Sequence, residues 1–243
     1  CKVYFGAGAF ASHYKEHMER NVEYLRKAYQ FGVDSGDYVY AGYSIAFSFF
    51  LRLIHGSPLS HVLKESQQYE SFIHKSQDRD TQSILTVLQR YMEHLQQPAN
   101  TVLLPNRGVP RSESFMTEEE ARRMPEYANK AIVHTFYVLQ LQVLYLFDRL
   151  HEAKQLGDEA EATLDSMFGL VHTHLHHFHY ALILAGQHHG SEPGEQKKYR
   201  DRIQRSIRFF RKWAKHSPAN FLFMQLLLEA ELPEPRDALL LGL

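Results

Sequence analysis

The chain has 243 residues, 44% of them hydrophobic and 23% charged, a composition that suits a globular protein with a continuous core. Its formal net charge is -1, which argues against a global field that would steer the molecule to nucleic acid or an anionic membrane. Cys1 is the single cysteine, so an internal disulfide is excluded and a reducing cytoplasm is the expected compartment.

The first residues show neither a methionine nor a secretory signal, and we therefore expect a piece of a longer protein. Apolar residues recur at helical spacing over 10–31, with a break expected near His17. The segment 38–54 is so rich in aromatic residues that we expect a helix buried on most sides. Segments 59–74 and 81–95 each have one apolar face, which predicts helices of an outer layer.

Residues 97–117 contain three prolines and no helical period, which predicts an irregular loop. Thr117 and Glu120 fit a capping box that begins a short helix ending near Met124. Pro125 is then expected to start a long apolar helix over 126–150. The remaining predicted helices run from the second glycine joint described below to about Phe168, and over 170–185, 195–216 and 219–232.

Two glycine-aspartate pairs predict helical hairpins. Gly36-Asp37 and Gly157-Asp158 are each followed, four residues after the aspartate, by an alanine, Ala41 or Ala162. Glycine can take the left-handed conformation that ends a helix, aspartate can cap the next helix, and alanine lets the two helices approach closely. A third joint, Gly56-Ser57-Pro58, is expected to act similarly, with serine as the cap and proline at the first helical position.

These patterns indicate an all-α fold, because no segment alternates with the period of a strand. The joints favour a tetratricopeptide-like α-α superhelix of about ten to twelve helices. The two Gly-Asp joints are not separated by a whole multiple of the ~34-residue tetratricopeptide unit, so a degenerate array is expected. We interpret 1–243 as one helical-repeat domain with an irregular loop at 97–117.

Two segments resemble a known class of helical region. Residues 28–43 read A-Y-Q-F-G-V-D-S-G-D-Y-V-Y-A-G-Y, and residues 213–221 read W-A-K-H-S-P-A-N-F. They resemble the region that follows the AAA-type ATPase domain in large signalling proteins with a Ser/Thr-kinase-like domain and GAF and histidine-kinase modules. The resemblance implies a scaffold in two-component signal transduction, with other domains of the parent chain as partners, and it implies no catalytic residue here.

The sequence itself also predicts a non-catalytic protein. It contains no phosphate-binding loop, no kinase motif and no Gly-x-Ser-x-Gly elbow, and no residue is predicted to bind a cofactor. We therefore expect an interaction scaffold that binds protein segments. The most apolar stretch, 131–147, is broken by polar residues and shorter than the ~18 apolar residues of a membrane span, so no span is expected.

The sharpest chemical candidate is a run of histidines. On one helix His172, His176 and His179 would share a face, and neutral imidazoles are ligands for zinc, copper or nickel. We therefore name these three as candidate metal ligands. No acidic residue interleaves with them, and the alternative is a half-buried helix whose imidazoles contact neighbouring helices.

Two further groups are candidates for binding. The basic helix predicted over 195–216 offers Arg200, Arg208, Arg211 and Lys215 as an interaction surface for an acidic partner, a phosphate backbone or an anionic membrane surface. The neutral total charge disfavours nucleic acid, and the favoured alternative is a packed helix whose charged ends stay in solvent. The second function considered is a small-molecule or metal sensor. It would use either an aromatic pocket lined by Tyr40, Tyr43 and Phe47 or the histidine face at 172–179.

Overall fold

A computed structural model of the chain describes residues 1–96 and 114–233. Within these residues the fold is all-helical, without a β-strand, and the predicted fold class is confirmed at that level. Short π-helical and 3-10 turns at Ala7–Ala11, Ser12–Tyr14 and Leu164–Met167 join the longer elements. The α-helices are α1 (Lys2–Gly6), α2 (Met18–Ser35), α3 (Tyr38–Ile54), α4 (Leu59–Gln68), α5 (Glu70–Lys75), α6 (Arg79–Gln96), α7 (Glu118–Tyr127), α8 (Lys130–Leu146), α9 (Leu150–Glu161), α10 (Val171–His188), α11 (Pro193–Ala214) and α12 (Pro218–Ala230).

The first hairpin joint forms as its sequence predicts. Gly36 ends α2 in the left-handed conformation with φ 75°, and the Asp37 carboxylate accepts a hydrogen bond from the Tyr40 backbone N–H at 3.5 Å. Ala41 is fully buried, and its Cβ lies only 2.9 Å from the position that a Cβ on Gly32 would take. Helices α2 and α3 can therefore pack closely because small residues face each other.

The third joint is confirmed only in part. Gly56 has φ 82° and turns the chain between α3 and α4, as glycine permits. Ser57 does not cap α4 with its side chain; Pro58 occupies the N-cap position, and its carbonyl accepts hydrogen bonds from His61 and Val62. The helix consequently begins at Leu59, one residue later than the predicted start at proline.

The second joint was predicted wrongly. Gly157 lies inside α9 in a regular helical conformation, and α9 continues without interruption to Glu161. A Cβ at this position would strike the ring of Tyr180 on α10, so the glycine provides close approach between two helices and not a helix end. The turn before α9 instead uses Asp148, with φ 58°, a residue type that tolerates the left-handed region.

Helix boundaries near Pro125 also differ from prediction. The capping box is present, with Thr117 accepting a hydrogen bond from the Glu120 N–H at 3.2 Å and Glu120 accepting one from the Thr117 N–H at 3.0 Å. Helix α7 runs past the proline to Tyr127, and Asn129 caps α8. The long apolar helix therefore spans Lys130–Leu146 and not 126–150. Of the predicted loop at 97–117, residues 97–113 lie outside the described residues.

Helix α10 occupies the centre of the fold. It packs against α8, α9, α11 and α12, and His172 near its start stacks on Phe50 of α3 at 3.8 Å between ring centroids. Fourteen of its residues are buried, which leaves little surface for solvent. Within residues 1–96 and 114–233, no helix has both the length and the apolarity that crossing a membrane requires.

The two ends of the described chain are joined through one side chain. Asn220, near the start of α12, accepts a hydrogen bond from the Met18 N–H at 3.1 Å and donates to the carbonyls of His13 and Glu16, both at 2.8 Å. Next to this clasp Tyr14 packs on Trp213 with ring centroids 4.1 Å apart. The segment 213–221 thus fixes the backbone just before α2. This contact links the two ends of the fold and adds to the contacts between helices that follow each other in the chain.

Candidate interaction surface

The candidate metal-ligating histidines of α10 face different neighbours. His172 lies on Phe50, and His176 Nε2 lies 3.4 Å from Glu161 Oε1. His179 is buried as well, with its ring 5.4 Å from that of Phe178, its neighbour along the helix. In the part of the chain that the structure describes, three ligand-type side chains come within 4.8 Å of one another only at His17, Glu19 and His55. The three α10 histidines are therefore not brought together around one point.

Burial disfavours the charged form of His174 and His179. It lowers the pKa of His174 to about 3 and that of His179 to about 4, because a charged ring would lose its hydration. His174 instead stacks on Phe221 of α12, with ring centroids 4.5 Å apart. These histidines act as flat packing groups between α10 and its neighbours.

Helices α9, α10 and α11 border a polar cleft of about 370 Å³. Glu161 pairs with both His176 and Arg202, and the hydrogen bond with His176 together with the Arg202 charge lowers the pKa of this carboxyl. On the other side Asp158 accepts hydrogen bonds from Tyr180 and from Lys154; burial, followed by the bond to Asp158, raises the pKa of the Tyr180 hydroxyl. These carboxylates are engaged with neighbours from three helices, so the network links those helices.

The aromatic residues considered for a pocket surround a core side chain. The ring of Phe5 lies 5.4 Å from that of Tyr40, 6.2 Å from that of Tyr43 and 5.7 Å from that of Phe47. Phe5 itself is buried. The space between the three rings is therefore filled by α1, and the cluster attaches α1 to α3.

The four predicted interaction residues divide into two pairs. Arg200 donates a hydrogen bond to the carbonyl of Pro233, and Arg211 forms an ion pair with Glu229 of α12 at 2.8 Å. Arg208 and Lys215 are exposed, and neither forms an ion pair with any of the described residues. The exposed side of α11 therefore presents positive charge next to α12.

Sequence reasoning missed an apolar surface on α12. Four large side chains lie on its outer side and retain 40% to 55% of their accessible surface, whereas the inner side is fully packed through Phe221, Met224 and Leu228. A helix with apolar residues at nearly every position from 221 to 228 has more than the single apolar face of an ordinary surface helix, and this signal could have revealed it. The exposed residues, called here the α12 apolar strip, are Leu222, Phe223, Leu226 and Leu227.

The strip lies between two other helices. Leu222, Leu226 and Glu229 are spaced i, i+4 and i+7, so they follow one side of α12, and the Arg211–Glu229 pair places α11 on that side. At the opposite border Phe223 contacts Phe178 of α10, with ring centroids 5.9 Å apart. The result is an exposed apolar band with the cationic side of α11 along one edge.

Comparisons of this chain with protein-family models, with curated proteins and with solved structures give no match.

Proposed function

We propose that the chain is a non-catalytic helical scaffold, a degenerate tetratricopeptide-like array, that binds a helix of another protein domain on the surface formed by α11 and α12. The observation that carries this proposal is the α12 apolar strip beside exposed cations. Contiguous exposed apolar groups bordered by polar residues are typical of protein interaction sites. An apolar centre also fits a protein partner better than a phosphate backbone, which is bound mainly through charge.

The chemistry of the surface defines the partner. An amphipathic helix would bury its apolar residues against Leu222, Phe223, Leu226 and Leu227, as helices do when they bind in apolar grooves. Acidic residues along one edge of that helix would face Arg208 and Lys215, which are exposed and form no ion pair with the described residues. The partner is therefore a helix with an apolar stripe and a row of acidic residues.

The resemblance of residues 28–43 and 213–221 to a region of large signalling proteins suggests where this interaction would occur. In a large cytoplasmic signalling protein, the partner helix would belong to another domain of the same parent chain, and the scaffold would connect an ATPase domain with a sensor histidine kinase. Binding of the partner helix in only one nucleotide state would then change which surface is presented, since coupling requires a difference in affinity between states.

A pair of synthetic peptides tests the proposed surface. The first is a fluorescein-labelled amphipathic helix with leucines along one face and glutamates elsewhere; the second carries lysines in place of the glutamates. In a fluorescence anisotropy titration we expect the acidic peptide to bind at least ~10-fold more tightly than the basic one, because charge complementarity selects the partner.

Two variants locate the binding. Leu226→Ser should lower the affinity for the acidic peptide by ~10-fold or more, because an apolar contact is lost. Leu146→Ser is the matched control, since Leu146 is an exposed leucine at the end of α8 and should leave binding unchanged. Equal affinity for the two peptides, or equal affinity of the Leu226→Ser protein and the unsubstituted protein, would overturn the proposal.

A further inference from the structure

Three side chains of the types that bind metal ions lie at the open end of the α2–α3 hairpin. None of them belongs to the α12 apolar strip. His17 is the N-cap of α2, Glu19 is in its first turn, and His55 is the C-cap of α3. Because the two helices are antiparallel, the start of α2 and the end of α3 lie side by side. One ligand atom from each of the three residues lies within 4.8 Å of the others.

The distances are those of a loose metal site. His17 Nδ1 lies 3.7 Å from Glu19 Oε2, and His55 Nε2 lies 3.9 Å from Glu19 Oε1. Zinc binds histidine nitrogen and carboxylate oxygen at ~2.0–2.2 Å, so ligand atoms around it stand roughly 3.3–3.5 Å apart in a tetrahedral arrangement. The three side chains are exposed. To bind an ion through Nδ1, His17 exchanges the 3.4 Å hydrogen bond that this atom accepts from the Glu19 backbone N–H, and rotations about the side-chain bonds supply the remaining difference.

The donor set has a recognised chemistry. Two imidazoles and one carboxylate form the protein part of zinc sites that keep a fourth position for water. We infer that His17, Glu19 and His55 form a site for a divalent transition metal of the zinc type. This inference does not depend on the proposed binding surface, because it uses different residues.

The backbone positions of the ligands are held from both sides. The residues flanking His17 are fixed by Asn220, which bonds to the Glu16 carbonyl and the Met18 N–H. His55 donates its backbone N–H to the Leu51 carbonyl at 2.9 Å. The ligands thus start from fixed backbone positions, which reduces the entropy lost when they close on an ion.

A bound ion would connect the two helices at the end where no turn joins them. The Gly36-Asp37 turn closes the other end of the same hairpin. The nearby positive charge of Arg20 is balanced by Glu16 and Glu23, which leaves the Glu19 carboxylate to neutralise the ion. Metal binding should therefore stabilise the hairpin by mass action.

Isothermal titration calorimetry of the full chain, without a histidine tag, with zinc chloride tests the site. We expect one equivalent to bind with a micromolar dissociation constant, and Co²⁺ in place of Zn²⁺ to give visible absorption bands of tetrahedral type. His55→Gln and Glu19→Gln should each weaken binding at least ~10-fold, since each removes one of three protein ligands.

The chain holds 16 histidines, so a control for binding elsewhere is needed. His61→Gln serves, because His61 is an exposed histidine on α4 outside the ligand group, and it should bind zinc as the unsubstituted protein does. Circular dichroism verifies that each variant is folded. Absence of a binding heat, or zinc affinity unchanged in both His55→Gln and Glu19→Gln, would overturn the inference.

Discussion

Helices α10 and α12 contain almost no Asp, Glu, Lys or Arg, and yet they are covered to very different extents. Helix α10 has fourteen buried residues, among them imidazoles that stack on phenylalanines of other helices. Helix α12 has four buried residues and exposes the α12 apolar strip. The difference arises from position, since α10 has helices on several sides and α12 packs mainly on α11. A helix that contains almost no charged residue therefore indicates either a central place in the fold or a binding surface.

The largest expected effect is a loss of stability at low pH, caused by buried histidines on α10 and on the segments packed near it. Burial lowers the pKa of His13 to about 4, that of His134 to about 3, that of His174 to about 3 and that of His179 to about 4. Below the ordinary pKa of 6.5 the unfolded chain binds protons that the native protein does not. The contribution of these neutral histidines to the free energy of unfolding is therefore complete above pH 6.5, and it decreases as the pH falls below that value. At pH 5 the loss is ~2 kcal/mol per histidine, which in total rivals the ~5–15 kcal/mol stability of a typical domain.

Urea unfolding followed by circular dichroism at pH 7.5, 6.5 and 5.5 measures this effect. His174→Phe should flatten the pH dependence, because it removes one buried proton acceptor while keeping a ring against Phe221. The exposed His61→Gln should leave the slope unchanged. Equal stability at pH 7.5 and 5.5 would contradict the predicted cost of charging these side chains.

The inner side of α12 should be as sensitive as the core. Asn220→Ala removes the bonds to Met18, His13 and Glu16 and leaves those buried backbone groups without a partner, at an expected cost of ~2–4 kcal/mol. Asn129→Ala, which removes the cap of α8 and an exposed hydrogen bond to Asp80, should cost only ~1 kcal/mol. Denaturant midpoints measure both; similar values for the two variants would show that the clasp at Asn220 contributes no more than an ordinary cap.

The close approach of α9 to α10 predicts a loss of stability of intermediate size when Gly157 is replaced. Gly157→Ala places a methyl group against the Tyr180 ring and should destabilise the protein by ~1–3 kcal/mol, as overpacking does. Gly194→Ala is the matched control, because that helical glycine has no atom near its absent Cβ and alanine should stabilise α11 by up to ~1 kcal/mol. Thermal unfolding of the two variants should therefore shift in opposite directions.

The smallest effect is expected on the outer side of α12. Leu226→Ala should change the free energy of unfolding by less than ~0.5 kcal/mol, as surface substitutions do. Leu228→Ala, two residues away and fully buried, should cost ~2–5 kcal/mol. Chemical denaturation separates the cases, and a large loss for Leu226→Ala would mean that the strip already contributes to the core of this chain.

Features that depend on a few neighbouring residues followed from the sequence. The all-helical fold, the Gly36-Asp37 joint and the Thr117–Glu120 capping box are confirmed, because helical periodicity, a left-handed glycine and a cap each involve groups within about one turn. The same reasoning gave the wrong role to Gly157. The sequence shows that a glycine stands at position 157 but not whether a positive φ or a neighbouring ring requires it.

Tertiary structure decided everything that joins distant segments. It placed His172 on Phe50 and His176 beside Glu161, it placed Asn220 against residues 13–18, and it left one side of α12 exposed while covering α10. Such outcomes depend on which helices become neighbours, and hydrophobic burial selects neighbours without directional preference. The local pattern of this chain therefore determines its helices, and the packing of those helices determines which side chains remain available for binding.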